Sequence, residues 1–137
     1  MTYNLLITGG AGFIGSNFTN YIQNKNLFEK IIVVDSLSYC SCINSIKGLI
    51  DTGRIIFVEA NIINRDIDFE TFSRFKITHV VHFAAESHVD RSIKGAQVFI
   101  ESNILGTYSL LETFKEHWQK AGKPSDWKFL HISTDEV

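Results

Sequence analysis

The residues of this chain best suited to chemistry begin at its amino end. Thr8-Gly9-Gly10-Ala11-Gly12-Phe13-Ile14-Gly15 satisfies both G-x-G-x-x-G, counted from Gly10, and G-x-x-G-x-x-G, counted from Gly9. Side chains this small let a backbone turn tightly and approach a diphosphate, whose charge then rests on free N–H groups at the positive end of the following helix. Within this loop Gly9 and Gly12 serve the turn and the close approach, and Gly15 lets the helix pack close to the sheet. A lone glycine pattern is weak evidence. This one follows an apolar run of strand length, opens a segment of helical period, and is followed twenty positions after Gly15 (35 − 15) by Asp35 at the end of a second apolar run. A carboxylate there accepts hydrogen bonds from an adenosine ribose and repels a 2′-phosphate, so the pattern points to NAD rather than NADP.

A second group lies farther on. His82-Phe83-Ala84-Ala85-Glu86-Ser87-His88 follows the fourth apolar run, and Ser133-Thr134-Asp135-Glu136 follows the fifth. Ala84 and Ala85 suit either close approach of a nicotinamide ribose or tight strand packing. Asp135 and Glu136 suit either a solvated turn or a general acid and base whose environments differ. The histidines argue against a metal: His79 and His82 are three apart in one strand, hence on opposite faces, and His131 is expected to be packed. No metal site is predicted, and G-x-S-x-G, the hydrolase elbow, is absent.

The elements that must position these groups alternate between strand and helix. Five apolar runs read as strands buried on both faces: Asn4 to Thr8, Lys30 to Asp35, Arg54 to Glu59, Thr78 to Phe83 and Lys128 to Ser133. Helical spacing is predicted from Phe13 to about Lys25, from Asp66 to Phe75, and from about Val98 to Lys120. The last is apolar along two stripes, Ile100, Ile104, Tyr108 and Leu111 on one side and Phe99, Leu110, Phe114 and Trp118 on another, so it requires two partners. A homodimer of a full-length protein through this helix is expected. Right-handed crossovers in this order predict an α/β fold, a Rossmann-type doubly wound parallel sheet of order 3-2-1-4-5, with its ligand crevice between the first and fourth strands. Since the sequence stops just after the fifth strand, residues 1–137 are expected to be an incomplete NAD-binding domain, the first part of something longer.

Composition excludes other classes. With 137 residues, 45% hydrophobic, 20% charged and a single Pro, the chain is neither disordered nor collagen-like nor disulfide-stapled. A net charge of −2 without charge blocks leaves no footprint for nucleic acid or a membrane surface. Cys40 and Cys42 are too close for a disulfide. Reduced thiols and the lack of a signal-like start predict a cytoplasmic protein.

ITGGAGFIGS at the start, HFAAESHVDRSI at the fourth strand, ESNILGTYSLLE in the long helix and HISTDEV at the end together resemble the extended short-chain dehydrogenase/reductases. Within these they resemble the nucleoside-diphosphate-glucose 4,6-dehydratases. The first segment is common to the superfamily, whereas AAESHVDRSI and STDEV are more specific to the dehydratases. The resemblance implies that Phe13 and Ile14 contact the NAD pyrophosphate, that Asp35, Ser36, Leu37 and Ser38 hold the adenosine ribose, and that Asn61 and Ile62 hold the adenine. Phe83, Ala84, Ala85 and Ser102 would line the rest, and Ser87 and Thr134 would contact a nucleotide-sugar substrate.

Asp135 and Glu136, beside Thr134, match the family's acid and base of elimination. The implied reaction is an internal redox cycle that yields a 4-keto-6-deoxy sugar nucleotide from dTDP- or UDP-glucose. Its first oxidation uses a Tyr and Lys of a Y-x-x-x-K motif. Tyr21 and Lys25 fit those letters but lie in the first helix, behind the glycine loop, and receive no role. Two departures stand out: Asn61 replaces the family's usual Asp, and Ser38-Tyr39-Cys40-Ser41-Cys42 differs from the bacterial Tyr-Ala-Gly-Asn, leaving the nucleotide open. The alternatives are a stand-alone NAD-binding or regulatory module and another extended-family epimerase or decarboxylase.

Overall fold

The structure is a computed structural model that describes residues 2–133, apart from the side chain of Val89. Five parallel strands, β1 (Asn4–Thr8), β2 (Lys30–Asp35), β3 (Ile56–Glu59), β4 (His79–His82) and β5 (Lys128–His131), form one sheet of order β3-β2-β1-β4-β5. The predicted order is the observed one. Register follows from the central strand: Leu5 pairs with Ile31 on one side and His79 on the other.

Alternate residues of each strand feed opposite cores, as the period of a strand requires. Leu6, Ile32, Val34 and Val80 pack with Phe72, Phe75, Leu110 and Phe114. Leu5, Ile7, Ile31, Val33 and Val81 pack with Ala11, Ile22, Ile46 and Ile55. The first face is covered by α3 (Arg65–Phe75) and α6 (Thr107–Lys120), the second by α1 (Phe13–Ile22) and α2 (Lys47–Asp51).

Three strands are shorter than predicted. Arg54 and Ile55 do not extend β3: their N–H groups donate to the Leu49 carbonyl and close the turn after α2. β4 loses Thr78 and Phe83 at its ends, and β5 stops at His131. Two short helices went unpredicted, α2 and α4 (Val89–Lys94), each too brief to show a helical period. The long helix is not continuous. It is α5 (Ala96–Phe99), a π-helical segment (Ile100–Gly106) and then α6.

Between α3 and α6 lies a buried carboxyl group, on the same helical face as Phe72 and Phe75. Asp68 is 4% exposed, and Ser109 Oγ donates to its Oδ2 at 3.3 Å. Burial pushes its pKa up to about 7, against the smaller lowering effect of the Ser109 hydroxyl. A folded-state pKa above the unfolded value means that the folded chain binds the extra proton, so the site costs nothing below about pH 4 and destabilises progressively as pH rises towards 7. Asp68→Asn, which mimics the protonated carboxyl, is therefore expected to stabilise the protein above pH 7 by an amount on the order of a few kcal/mol, with the gain vanishing near pH 4. Thermal melts of both proteins across that range check this; a gain independent of pH would contradict it.

Candidate functional site

β1 delivers the chain to a loop whose conformation depends on two glycines. Gly9 has φ +68°, and a Cβ on it would stand 2.7 Å from the Ala84 nitrogen. Its N–H donates to the Val34 carbonyl at 2.8 Å, and Gly12 N–H donates back to the Gly9 carbonyl at 3.1 Å. A Cβ on Gly15 would meet that same carbonyl oxygen at 2.1 Å. The sequence reading assigned Gly15 to helix-on-sheet packing; the closest approach is to the loop itself, which α1 pins from behind.

The N-cap of α1 is Gly12, with extended backbone and no side-chain cap. The N–H groups of the first turn, at Phe13 and Ile14, therefore lack intrahelical partners. Both side chains point outward, 84% and 62% exposed, so only their backbone faces an anion at this end.

Asp35 closes β2 and is 5% exposed. Its Oδ2 accepts from Ala11 N–H at 2.9 Å, while Oδ1 accepts from Leu37 N–H at 2.8 Å and Ser41 Oγ at 2.7 Å. A carboxylate has about four lone-pair sites, so one acceptor position remains for a ligand hydroxyl. The ties to Ala11 and Ser41 are a second role, joining the glycine loop to the loop after β2, that motif reading did not anticipate. Leu37 takes φ 53° and its side chain packs against the core on the α1 and α2 face; it is not on the cleft wall.

Beyond the carboxyl ends of β1, β2 and β4 opens a cleft. Gly9, Gly12, Asp35, Ser36, Ser38, Asn61, Ile62, Phe83, Ala84, Ala85 and Ser102, all predicted from sequence, line it together. Val34, Cys40, Ser41, Ala60 and Glu86 also line it and were not predicted. Phe13, Ile14, Gly15 and Leu37 are not on the cleft wall. Asn61 Oδ1 already accepts from Ile63 N–H at 3.1 Å, and the Ile62 side chain is mostly core. Ser87 is exposed beside Glu86. Thr134, Asp135 and Glu136 lie outside the described residues.

Sequence reasoning also missed the clamp on the far wall. Asn103, in the π-helical segment, accepts from Glu86 N–H through Oδ1 and donates Nδ2 to the Glu86 carbonyl, both at 2.8 Å. This wider-wound segment carries Ser102 on the cleft wall and Asn103 against the β4 loop; π-helical insertions often sit at functional sites. Nothing in the apolar spacing signals it.

The histidines behave differently from one another. His82 is buried and its pKa falls to about 4, chiefly by desolvation and secondarily by the neighbouring His131. His79 sits edge-on to Tyr3 and Phe28. His131, expected to be packed, is exposed at the outer strand. Among the described residues no group of three His, Cys, Asp or Glu side chains could hold a metal ion, and Cys40 and Cys42 are both free thiols.

The geometry suits a dinucleotide: an uncapped helix terminus for a diphosphate, glycines where a backbone must come close, a carboxylate with a spare acceptor, and a cleft running on to two alanines. Comparison with known proteins agrees. The dTDP-glucose 4,6-dehydratase of Salmonella typhimurium is 43% identical over 135 residues, covering 97% of this chain and 37% of that protein. The dTDP-D-glucose 4,6-dehydratase of Dictyostelium discoideum is 44% identical over 133 residues, 97% of this chain and 29% of its own length. This chain thus spans about a third of the curated relatives it matches. Among solved structures, a DesIV double mutant (dTDP-glucose 4,6-dehydratase) from Streptomyces venezuelae, with NAD bound, superposes with a TM-score of 0.82 at 37% identity over 97% of this chain and 40% of that one. The UDP-glucose 4-epimerase of Stenotrophomonas maltophila gives 0.80 at 31% identity over 98% of this chain and 38% of that one. The family profile described as GDP-mannose 4,6 dehydratase matches residues 6–137, and to that family this chain belongs.

Proposed function

We propose that this chain is the cofactor-binding part of a nucleoside-diphosphate-glucose 4,6-dehydratase, an NAD-dependent lyase, with dTDP-glucose as substrate. The observation that carries the reading is the cleft between the uncapped α1 terminus, Asp35 and Ala84. The names of the relatives support dTDP over UDP. NAD, when bound, supplies a reversible hydride acceptor. Groups of this chain supply the binding contacts and the elimination step. Backbone N–H groups of Phe13 and Ile14 hold the diphosphate, Asp35 accepts from the adenosine ribose, and Asn61 accepts from the adenine amino group beside Ile62. Ser87 and Thr134 bind the sugar nucleotide. Glu136 removes the C5 proton of the 4-keto sugar, and Asp135 protonates the C6 hydroxyl oxygen as it departs.

Residues 1–137 hold no Y-x-x-x-K besides Tyr21 to Lys25, so the groups for the first oxidation belong to the remainder of a longer protein, and this chain alone turns over no substrate. Val98, Ile100, Ile104, Leu105, Tyr108 and Leu111 form an exposed apolar stripe along α5, the π-helical segment and α6, while Leu110 and Phe114 face the core. That second stripe supports a homodimer through these helices, which sedimentation of the full-length protein tests. Two free, exposed thiols suit a reducing cytoplasmic setting.

The decisive test is product analysis of the full-length protein with dTDP-glucose and UDP-glucose. A 4-keto-6-deoxy product from dTDP-glucose supports the reading; a 4-epimer or no product overturns it. NAD is further expected to bind at least tenfold more tightly than NADP, about 1.4 kcal/mol or more, because Asp35 would oppose the added phosphate with like charge. Its neighbours Ser36, Ser38 and Ser41 supply no cation. Calorimetric titration with each cofactor checks this, and equal affinities would refute it.

A further inference from the structure

His82, at the end of β4, is fully buried and has no part in the proposed chemistry. It joins three elements. Its Nδ1 lies 2.6 Å from Thr8 Oγ1, at the last residue of β1 before the glycine loop. Its Nε2 lies 2.8 Å from Thr107 Oγ1, at the first residue of α6 after the π-helical segment. Thr8 Oγ1 also accepts from Ala84 N–H, at 3.4 Å, and Thr8 carbonyl accepts from Phe83 N–H at 3.0 Å.

A hydroxyl has one proton and two lone pairs, and a neutral imidazole has one N–H and one acceptor nitrogen, so the two threonines satisfy both ring nitrogens in either tautomer: Thr8 Oγ1 holds Ala84 N–H together with His82 Nδ1, and Thr107 Oγ1 holds Nε2. Burial keeps the ring neutral at ordinary pH, so this arrangement is stable. Ala84 is also the residue on which Gly9 rests, where even a Cβ would find no room.

We propose that His82 is a positioning residue for the cofactor cleft: through Thr8 it fixes the Ala84 wall against the glycine loop, and through Thr107 it anchors that wall to the helix carrying Ser102. The inference rests on the reading of the cleft as an NAD site, but its structural half does not. Loss of the Thr8 bond frees the Ala84 amide whether or not a ligand is present.

The test uses the full-length protein and two readouts, NAD affinity by calorimetry and hydrogen–deuterium exchange of the peptide that contains Ala84. His82→Leu is expected to raise the NAD Kd roughly 5- to 30-fold and to speed exchange at Ala84, the range that stranding buried hydrogen-bonding groups produces. His82→Asn places an amide oxygen as far from Cβ as Nδ1 and recovers most of the affinity and protection. His82→Gln reaches the Nε2 position instead and recovers neither. Thr8→Val, nearly isosteric, reproduces the His82→Leu effect should that variant fail to fold.

A merely structural histidine would give parallel losses in stability and affinity without the split between Asn and Gln. Wild-type affinity and exchange in both His82→Leu and Thr8→Val, or equal rescue by Asn and Gln, would overturn the proposal. Failure of the wild type to bind NAD would instead overturn the proposed function, and the exchange data would still decide the role of His82.

Discussion

Gly15→Ala is expected to raise the dissociation constant for NAD at least 100-fold. The added Cβ would sit 2.1 Å from the Gly9 carbonyl oxygen and 2.9 Å from its carbon, both backbone atoms that no rotamer change moves aside. The start of α1 must therefore back away from the loop by more than an ångström to reach ordinary contact distance. The N–H groups of Phe13 and Ile14 move with it. Charge-assisted hydrogen bonds of this kind are worth about 1.5–3 kcal/mol each and need donor–acceptor distances of about 2.7–2.9 Å, so losing two of them accounts for the expected factor. Strain of about 1–3 kcal/mol should also lower the melting temperature. Gly48→Ala is the matched control: it lies in α2 with nothing within 4 Å of its Cβ, and it should leave affinity unchanged while slightly favouring the helix. Calorimetry on the two variants decides, and a Gly15→Ala affinity within threefold of wild type would remove the glycine loop from the proposed site.

Asp135→Asn and Glu136→Gln in the full-length protein are each expected to slow product formation by about 10²- to 10⁴-fold, the usual worth of general acid or base assistance. Oxidation at C4 should largely survive. In a single-turnover experiment with dTDP-glucose these variants should accumulate the absorbance of NADH, because elimination across C5 and C6 has become slow while the step before it has not. Normal product rates in both would make the pair a solvated turn. Complete loss of the NADH signal would assign the carboxylates to the first oxidation instead.

Much of the architecture was legible from local pattern. β1 and β2 begin and end where their apolar runs do, since a strand buried on both faces tolerates no polar residue inside it. The strand order followed from right-handed crossovers. The two stripes of the long helix separated as predicted, Leu110 and Phe114 inward and Ile104 and Tyr108 outward. The start of β3 and the end of β5 were not legible: Ile55 is apolar because it fills the core on the α2 face without pairing in the sheet, and Ile132 still donates its N–H to the His82 carbonyl one residue past the last paired position.

The cleft illustrates the same division. Gly9, Gly12 and Asp35 could be placed on the cleft because the spacing of the glycine loop and the following acid is local, and Ala84 and Ala85 because they end the strand beside the first. Asn103, Ser41, His82 and Asp68 could not. Asn103 reaches Glu86 across 17 positions of sequence, Thr8 reaches His82 across 74, and Asp68 reaches Ser109 across 41. By itself the sequence determined the elements, their order and the local loops that present backbone N–H groups, because hydrophobic period and glycine geometry act over a few residues. Only the tertiary structure decided which polar side chains are buried, what satisfies them and where the long helix yields to a π-helical turn, because the free energy of a buried polar group depends on partners that folding alone brings within 3 Å.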